Sequence, residues 1–194
     1  MSFQLEGRVI FFATNNINKF HEARKVLAEY KIAVGMLRIK VLEIQSESLE
    51  KIAETSVLYA FKKCDLPVIV EDAGLFIDAL TGFPGPYAAY VYKAIGNKGI
   101  LKLMEDSENR RAKFQSVIAY HSSDLKLPVC FKGEVDGRIT REERQGNSGF
   151  GFDPIFEPLN ERRTFAEMTV EEKNRYSHRA KALRKFAEWY QKKG

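Results

Sequence analysis

The pattern of apolar residues in the first part of the chain alternates between strand-like and helix-like spacing. Val9–Ala13 and Val68–Val70 are short, continuous apolar runs, which are typical of buried parallel strands. Two segments between them repeat apolar residues at helical spacing, and a further strand is expected at 37–44. The candidate N-caps of the two helices are Asn16 or a neighbour, and either Ser46 or Ser48. This order of elements predicts an α/β arrangement with right-handed crossovers.

The second half of the chain begins with a rigid turn at Gly82–Pro86. A helix broken by glycines is expected over 87–105, and the stretches 112–120 and 128–135 predict two strands that pair as a hairpin. Apolar residues at helical spacing near the C-terminus predict a final helix. No linker or repeat divides the chain, so we predict one α/β domain over 1–194. We expect two lobes, a mixed β-sheet flanked by helices, and a central substrate cleft.

Composition and charge narrow the class of protein. The 194 residues are 44% apolar and 29% charged, which is ordinary for a globular protein and excludes a disordered chain. No apolar run approaches the roughly 18–20 residues of a membrane span, and the first residues lack a signal-peptide pattern. We therefore expect a cytoplasmic protein. The net charge of +5 comes from cations interspersed with acids, which favours a solvated surface or a small polyanionic substrate over nucleic acid.

The supply of metal-binding side chains restricts the kind of metal that the protein could hold. Cys64 and Cys130 are far apart and form no C-x-x-C pair, so each is expected to be a small buried apolar residue. With only three histidines, a histidine-rich zinc site is also unsupported. A metal would therefore be bound by carboxylates, which indicates Mg²⁺ or Mn²⁺.

Short polar side chains follow the first predicted strand, where the first helix is expected to begin. Backbone N–H groups at a helix start are unpaired, and the helix dipole favours an anion there. Thr14 and Asn16 add short polar groups, and Lys19 adds a positive charge one turn into the helix. The turn is thus a candidate phosphate cradle, although it is not a Walker motif. A polar capped turn without a ligand is the alternative.

Two adjacent acids, Glu71 and Asp72, follow the apolar run that ends at Val70. We expect them at the carboxyl end of this strand, the edge at which ligand sites form in open α/β sheets. Carboxylates at the end of an apolar strand are costly unless they are solvated, paired or bound to a cation. Asp72 could therefore hold a metal or position a water molecule. The alternative is a solvated strand end followed by a turn at Gly74.

A glycine-rich segment, Ser148–Pro154, contains Phe150 between two glycines. Glycines permit a tight backbone and the close approach of a ligand. The ring of Phe150 could stack on a base, an interaction worth roughly 1–3 kcal/mol in stacking systems. The alternative is that Phe150 fills the core beneath a loop.

The segment 167–179 is rich in charge and predicts two helix starts. Thr169 and Glu172 have capping-box spacing, and Ser177 is a candidate cap of the terminal helix. His178 and Arg179 would then lie in its first turn, where cations oppose the helix dipole. Such local conflicts mark functional sites more often than chance. A solvated basic surface is the alternative.

Five motifs in these stretches, in one order along the chain, resemble the inosine triphosphate pyrophosphatase family of house-cleaning nucleotidases. They are T-x-N-x-x-K at Thr14–Lys19, V-E-D-x-G at Val70–Gly74, G-F-P-G-x-Y at Gly82–Tyr87, F-G-[FWY]-D-P at Phe150–Pro154 and E-M-x-x-x-E-K-N-x-x-S-H-R at Glu167–Arg179. Many relatives carry a basic residue after the G-x-Y turn, where this chain has Ala88 and Ala89.

The resemblance implies hydrolysis of ITP, dITP and XTP to a monophosphate and pyrophosphate, with Mg²⁺ as cofactor and a homodimer as the assembly. It implies that Asp72 is catalytic and that Glu43 and Asp72 hold the metal. The implied substrate-binding residues are Thr14, Asn16, Lys19, Phe150, Phe152, Asp153, Lys173, Ser177, His178 and Arg179. Donors such as His178 and Arg179 would suit a 6-oxo purine and mispair with adenine.

Two other functions are compatible with the same residues. The first is a related pyrophosphatase that acts on modified pyrimidine nucleotides. The second is a nucleic-acid-binding module that uses the basic surface and catalyses no reaction.

Overall fold

A computed structural model describes residues 8–41, 44–146 and 148–193 of the chain. The strands are β1 (Arg8–Ala13), β2 (Ile32–Leu37), β3 (Val68–Ile77), β4 (Pro84–Gly85), β5 (Arg111–His121), β6 (Val129–Ile139) and β7 (Phe156–Pro158). The α-helices are α1 (Ile17–Ala28), α2 (Leu49–Cys64), α3 (Ala88–Leu103), α4 (Val170–Asn174) and α5 (His178–Lys193). Short 3₁₀ turns lie at Asp78–Leu80, Asp153–Ile155 and Phe165–Glu167.

In the described part of the chain, seven strands form one mixed sheet in the order β2-β1-β3-β5-β6-β7, with β4 paired to β3. Strand β1 is parallel to β2 and β3, whereas β5, β6 and β7 continue the sheet in antiparallel pairs. The predicted hairpin is confirmed, since β5 and β6 pair from Arg111↔Arg138 to Tyr120↔Val129. The predicted α/β fold with a mixed sheet is likewise confirmed.

Helices cover both faces of the sheet near β1 and β3. Ile10, Phe12 and Ile69 pack on one face with α1 and α5. Val68 and Val70 pack on the other face with α2. Successive side chains of a strand point to opposite faces. Glu71 therefore points toward α5, and Asp72 points toward α2.

The strand predicted at 37–44 is wrong for the residues that the structure describes, because β2 is Ile32–Leu37 and residues 38–41 and 44 lie in no strand. Residues 42 and 43 lie outside the described part of the chain. Among the described strands, β2 lies at the edge of the sheet and pairs only with β1, from Arg8↔Ile32 to Ala13↔Leu37. β1 ends at Ala13, so the described residues that follow Leu37 have no neighbouring strand with which to pair. The length of the neighbouring strand β1, rather than the apolar character of the residues near Leu37, sets the end of β2.

The placement of Glu71 and Asp72 at a strand end is also wrong. β3 continues to Ile77 because β5 pairs with it along its whole length. β1, by contrast, pairs only with Val68 and Ile69. The two acids therefore lie in the middle of β3, beside the point where β1 leaves the sheet and the chain turns into α1.

Smaller features of the prediction also differ from the structure. The third helix is interrupted at Gly96, with φ 61° and ψ −166°, but it continues through Gly99. Cys64 and Cys130 are half-buried rather than buried, since each lies near the edge of the apolar cluster around α2.

The close approach of α5 to β6 depends on Gly133. A Cβ atom at this position would lie 2.1 Å from the carbonyl oxygen of His178 and 2.5 Å from the backbone nitrogen of Ala182. Both contacts are with backbone, which no side-chain rotation relieves. Gly133 therefore sets the height of the first turn of α5 above the sheet.

Replacing Gly133 by Ala is expected to destabilise the protein by about 1–3 kcal/mol or more, since overpacking must displace α5. Chemical denaturation monitored by circular dichroism measures the loss. Asp136→Ala, at an exposed position of the same strand, is the matched control and should change stability by less than about 0.5 kcal/mol. Equal stability of the two variants would contradict the packing argument.

Candidate active site

A cleft of about 560 Å³ opens where the start of α1, the start of α3, the loop before residue 154 and the first turn of α5 meet. It brings together seven of the residues that the sequence predicted for a site: Asn16, Lys19, Phe150, Phe152, Asp153, His178 and Arg179. Ala88 and Ala89 also line it, so no basic side chain enters from that turn. A concave, partly apolar pocket with a few convergent polar groups is the usual form of a small-molecule site.

The start of α1 forms one end of the cleft. Asn16 is the N-cap, and its Oδ1 accepts hydrogen bonds from the backbone N–H groups of Asn18 (3.0 Å) and Lys19 (3.1 Å). The hydroxyl of Thr14 accepts a hydrogen bond from the backbone N–H of Asn16 at 3.1 Å. The side chain of Asn16 thus satisfies two N–H groups of this helix start, as the capped-turn alternative expected. The ammonium of Lys19 remains the main positive charge at this end, 3.4 Å from Glu71.

Asp72 lies in an adjoining pocket of about 250 Å³, on the face of β3 opposite to Glu71. Asn16 and Lys19 line both pockets, which therefore meet at the start of α1. Thr14, Asn15 and Ser56 also line the pocket of Asp72.

The donor set in the pocket of Asp72 suits a hard cation. Its described lining contains the carboxylates of Asp72 and Glu71, amides, hydroxyls and the ammonium of Lys19, but no histidine or cysteine. Oxygen donors are what Mg²⁺ prefers. Glu71 is not available to a metal, because it is already bound by Arg179 and Lys19. Glu43, the second predicted metal ligand, lies outside the described residues.

Beneath the cleft, buried acids and bases form one network. Arg179 donates from Nε to Glu71 at 2.8 Å and from Nη1 to Glu22. Lys173 contacts Glu22 at 2.8 Å and Asp153 at 2.6 Å. The side chains of these five residues are at most 4% exposed. A buried charge is tolerable only when it is paired and hydrogen-bonded, and here each one is.

The network fixes the charge state of its members. Burial alone would raise the pKa of Glu71, but the charges of Arg179 and Lys19 hold it well below its usual value. Burial likewise opposes the ionisation of Glu22, and Arg179 and Lys173 lower its pKa. The pKa of Asp153 is raised, because burial and the charge of Glu22 outweigh the attraction of Lys173.

His178 is neutral at neutral pH, since burial, followed by the charge of Arg179, holds its pKa well below 6.5. Its imidazole stacks on Phe114, with ring centroids 4.7 Å apart and an interplanar angle of 12°. Nδ1 of His178 is buried without a hydrogen-bond partner among the described residues. The sequence suggested that His178 and Arg179 are two cations that oppose the dipole of α5. This conflict does not arise, because His178 is uncharged and Arg179 is paired with Glu71 and Glu22.

Phe150 lines the cleft and is half-buried, so it does not fill the core beneath the loop. Lys173 Nζ lies 4.9 Å and the Arg179 guanidinium carbon 5.4 Å from the centre of its ring. Asp153 accepts a hydrogen bond from the backbone N–H of Phe150 at 2.8 Å and so fixes the loop. Phe152, only 4% exposed, packs edge-on against Tyr92 and contributes to the core.

Two of the predicted substrate-binding residues lie beneath the cleft rather than in its lining. Lys173 is 2% exposed and is held by Glu22 and Asp153. Ser177 is fully buried and caps α5, because its hydroxyl accepts a hydrogen bond from the backbone N–H of Ala180 at 3.3 Å.

Sequence reasoning missed Glu22, Tyr92 and Phe114. Glu22 is on the face of α1 that also carries Ala23 and Val26. An acid on such an apolar face is a sequence signal by which Glu22 could have been found. Tyr92 and Phe114 have no comparable signal, because an aromatic residue in a helix or a strand usually belongs to the core.

The fold and the cleft define an α/β protein whose site combines a helix start and a lysine at one end with aromatic and paired cationic groups at the other. Residues 10–189 match the Ham1 family. The chain therefore belongs to the Ham1 family, and the resemblance recognised in its five motifs is confirmed.

Relatives of known name cover almost the whole chain. A dITP/XTP pyrophosphatase of Methanopyrus kandleri is 55% identical over 93% of this chain and 95% of its own length. One from Thermococcus kodakarensis is 51% identical over 92% and 95%. The solved structure of a HAM1 protein from Coxiella burnetii matches with a TM-score of 0.83 and 30% identity, covering 95% of this chain and 99% of that one. The Staphylococcus aureus Ham1 protein matches with a TM-score of 0.81 and 28% identity, over 96% and 100%.

No helix among the described residues combines the length and the apolar character that crossing a membrane requires.

Proposed function

We propose that the protein hydrolyses dITP, ITP and XTP to the corresponding monophosphate and pyrophosphate, and so removes non-canonical purines from the nucleotide pool. The observation that carries this proposal is the single cleft in which Phe150, His178 and Arg179 face the lysine at the start of α1. It offers an aromatic surface and hydrogen-bond donors for a base, and a cation for phosphates. The names of the relatives from Methanopyrus kandleri and Thermococcus kodakarensis agree with this substrate class.

Recognition of the base is assigned to the first turn of α5. A 6-oxo purine presents an acceptor where adenine presents an amino donor. Arg179 is always a donor, and neutral His178 can donate from one ring nitrogen, so both suit the 6-oxo group. An adenine base would present an amino donor to His178 and to the remaining N–H groups of Arg179, and sites of this type discriminate by about 10⁴-fold.

Phosphate binding and hydrolysis are assigned to the start of α1 and to Asp72. Lys19 lines the cleft and would neutralise charge on the phosphates. Asp72 would orient the attacking water in line with the bond between the α- and β-phosphates. Mg²⁺, or Mn²⁺, is the proposed cofactor, held by Asp72 and Glu43, and when bound it supplies further neutralisation of phosphate charge.

We further propose that the protein acts in the cytoplasm as a homodimer. Several large apolar side chains around the start of α3 are exposed: Phe83, Tyr87, Tyr90 and Ile95. An apolar surface of this kind is typical of an interface between subunits. Sedimentation equilibrium should give twice the mass of the chain, and a single-chain mass would contradict this assembly.

A substrate screen that detects pyrophosphate tests the proposed function. With Mg²⁺ present, dITP, ITP and XTP should be hydrolysed far faster than ATP. Faster release from modified pyrimidine triphosphates would favour the related pyrophosphatase instead. Binding of duplex DNA or RNA that weakens steeply with salt, without any hydrolysis, would favour the nucleic-acid-binding module.

Replacing Phe150 by Ala is expected to raise the KM for XTP by roughly 5- to 150-fold, with a smaller change in kcat. The reason is the loss of base stacking worth about 1–3 kcal/mol. Steady-state kinetics measure both constants, and thermal denaturation verifies that the variant folds. Phe150→Trp keeps an aromatic surface and should retain the KM to within a few-fold. An unchanged KM in a folded Phe150→Ala variant would remove this residue from the base site.

A further inference from the structure

A second concavity, of about 580 Å³, lies where β5 begins and β6 ends. Its lining shares no residue with the lining of the cleft. The residues that line it are Glu108, Asn109, Arg110, Arg111, Arg138 and Arg141. Four arginines and a single glutamate thus line it, and we call this feature the arginine concavity.

Arg110 is the fixed member of the arginine concavity. It donates from Nε to the carbonyl of Ile139 at 2.7 Å, from Nη1 to that of Met104 at 2.8 Å and from Nη2 to that of Thr140 at 2.7 Å. A guanidinium has five N–H donors in a rigid plane, so each Nη retains one N–H beyond these three bonds. Burial, followed by the nearby charge of Arg141, lowers the pKa of Arg110, and the charge of Glu108 opposes this effect.

Arg111 and Arg138 lie directly opposite each other in the antiparallel pair of β5 and β6. Like charges directly opposite each other are destabilising unless a carboxylate neutralises one of them. Arg138 donates to Glu157 at 2.7 Å, and Arg144 also contacts that carboxylate. Arg111 has no side-chain hydrogen bond or ion pair within the described ranges of the chain.

Arg141 is only weakly neutralised. Its Nη2 lies 3.3 Å from Glu108, whose side chain is 89% exposed. An ion pair this open to solvent contributes little and is easily exchanged for another anion. The arginine concavity therefore has more guanidinium donors than its carboxylate neutralises, and accessible donors lie around the fixed guanidinium of Arg110.

We infer that the arginine concavity is a second anion site that binds a diphosphate group. Planar guanidinium groups match phosphate oxygens in pairs of parallel hydrogen bonds, and several converge here. A pocket of this size accommodates a small ligand, whereas an extended nucleic acid strand would require a long basic stripe. Free pyrophosphate and the diphosphate moiety of a nucleotide share this chemistry.

Isothermal titration calorimetry with inorganic pyrophosphate, in EDTA to exclude metal complexes, tests the inference. The unmodified protein should show two binding events, one in the cleft and one in the arginine concavity. The double variant Arg111→Glu/Arg141→Glu should weaken one event by about tenfold or more, since hydrogen bonds between charged groups are lost. Lys19→Ala should weaken the other event. Arg24→Glu, which reverses an exposed arginine on α1, is the matched control and should change neither.

Two further measurements separate this inference from the proposed function and from other ligands. Hydrolysis of XTP should be unchanged in the double variant, since its residues lie outside the cleft. Titration with ADP and with AMP distinguishes the source of the anion. If the double variant binds ADP and pyrophosphate more weakly to the same extent, the site recognises the diphosphate itself. If it loses only the binding of pyrophosphate, the site recognises the free anion. A single pyrophosphate site that the double variant leaves intact would overturn the inference. Loss of binding to a single-stranded oligonucleotide, with pyrophosphate unaffected, would overturn it also.

Discussion

Replacing Asp72 by Asn is expected to lower the rate of pyrophosphate release from XTP by about 10³-fold while the protein stays folded. The substitution keeps the size of the side chain but removes the negative charge that is proposed to hold the metal and orient the water. Asp72 is half-buried and lines the pocket beside the start of α1, and asparagine fills the same space. Its replacement should therefore affect the reaction much more than the fold.

Single-turnover kinetics with saturating Mg²⁺ measure the chemical step of the Asp72→Asn variant. Asp78→Asn, at an exposed position after the same strand, is the matched control and should retain full activity. Thermal denaturation should give similar midpoints for both variants. A folded Asp72→Asn protein with more than a tenth of the original rate would remove Asp72 from the mechanism.

Replacing Glu71 by Gln is expected to destabilise the protein by about 3–5 kcal/mol, the usual cost of removing one partner from a buried ion pair. Arg179 would keep only Glu22 as its carboxylate partner, and Lys19 would lose its own. Urea denaturation at neutral pH measures the loss. Glu105→Gln, an exposed acid beyond the end of α3, is the matched control and should be within about 0.5 kcal/mol of the unmodified protein.

The stability that Glu71 provides should depend on pH with a definite sign. Its pKa in the folded protein lies below the usual value of 4.5, so the folded state favours the ionised form. This contribution is fully present above pH 4.5 and is lost as the pH falls toward the lowered folded pKa. The difference in stability between Glu71→Gln and the unmodified protein should therefore be largest at neutral pH and shrink in acid. A difference that stays constant with pH would contradict the ion-pair account.

Local signals in the sequence predicted the starts of helices, because a helix start depends on residues that are close together along the chain. Asn16 caps α1, Ser48 caps α2 and Ser177 caps α5, because a short polar side chain pairs with N–H groups a few residues away. The ends of β2 and β3 could not be predicted in this way. They are set by which neighbours pair with them, a property of the whole sheet.

The sequence predicted the candidate site best at the residues that belong to the five motifs. Asn16, Lys19, Phe150, His178 and Arg179 line one cleft although they are far apart in sequence. The buried network beneath the cleft was missed in part, since nothing local indicates that Glu22 neutralises both Lys173 and Arg179. Such pairings arise only when α1, α4 and α5 pack together.

In the proposed reaction, water attacks the α-phosphate of a non-canonical purine triphosphate. Hydrolysis of XTP in ¹⁸O-labelled water, followed by mass spectrometry of the products, tests it most directly. The label should appear in the monophosphate, and the other product should be unlabelled pyrophosphate. Label in the pyrophosphate, or orthophosphate as the first product, would contradict it.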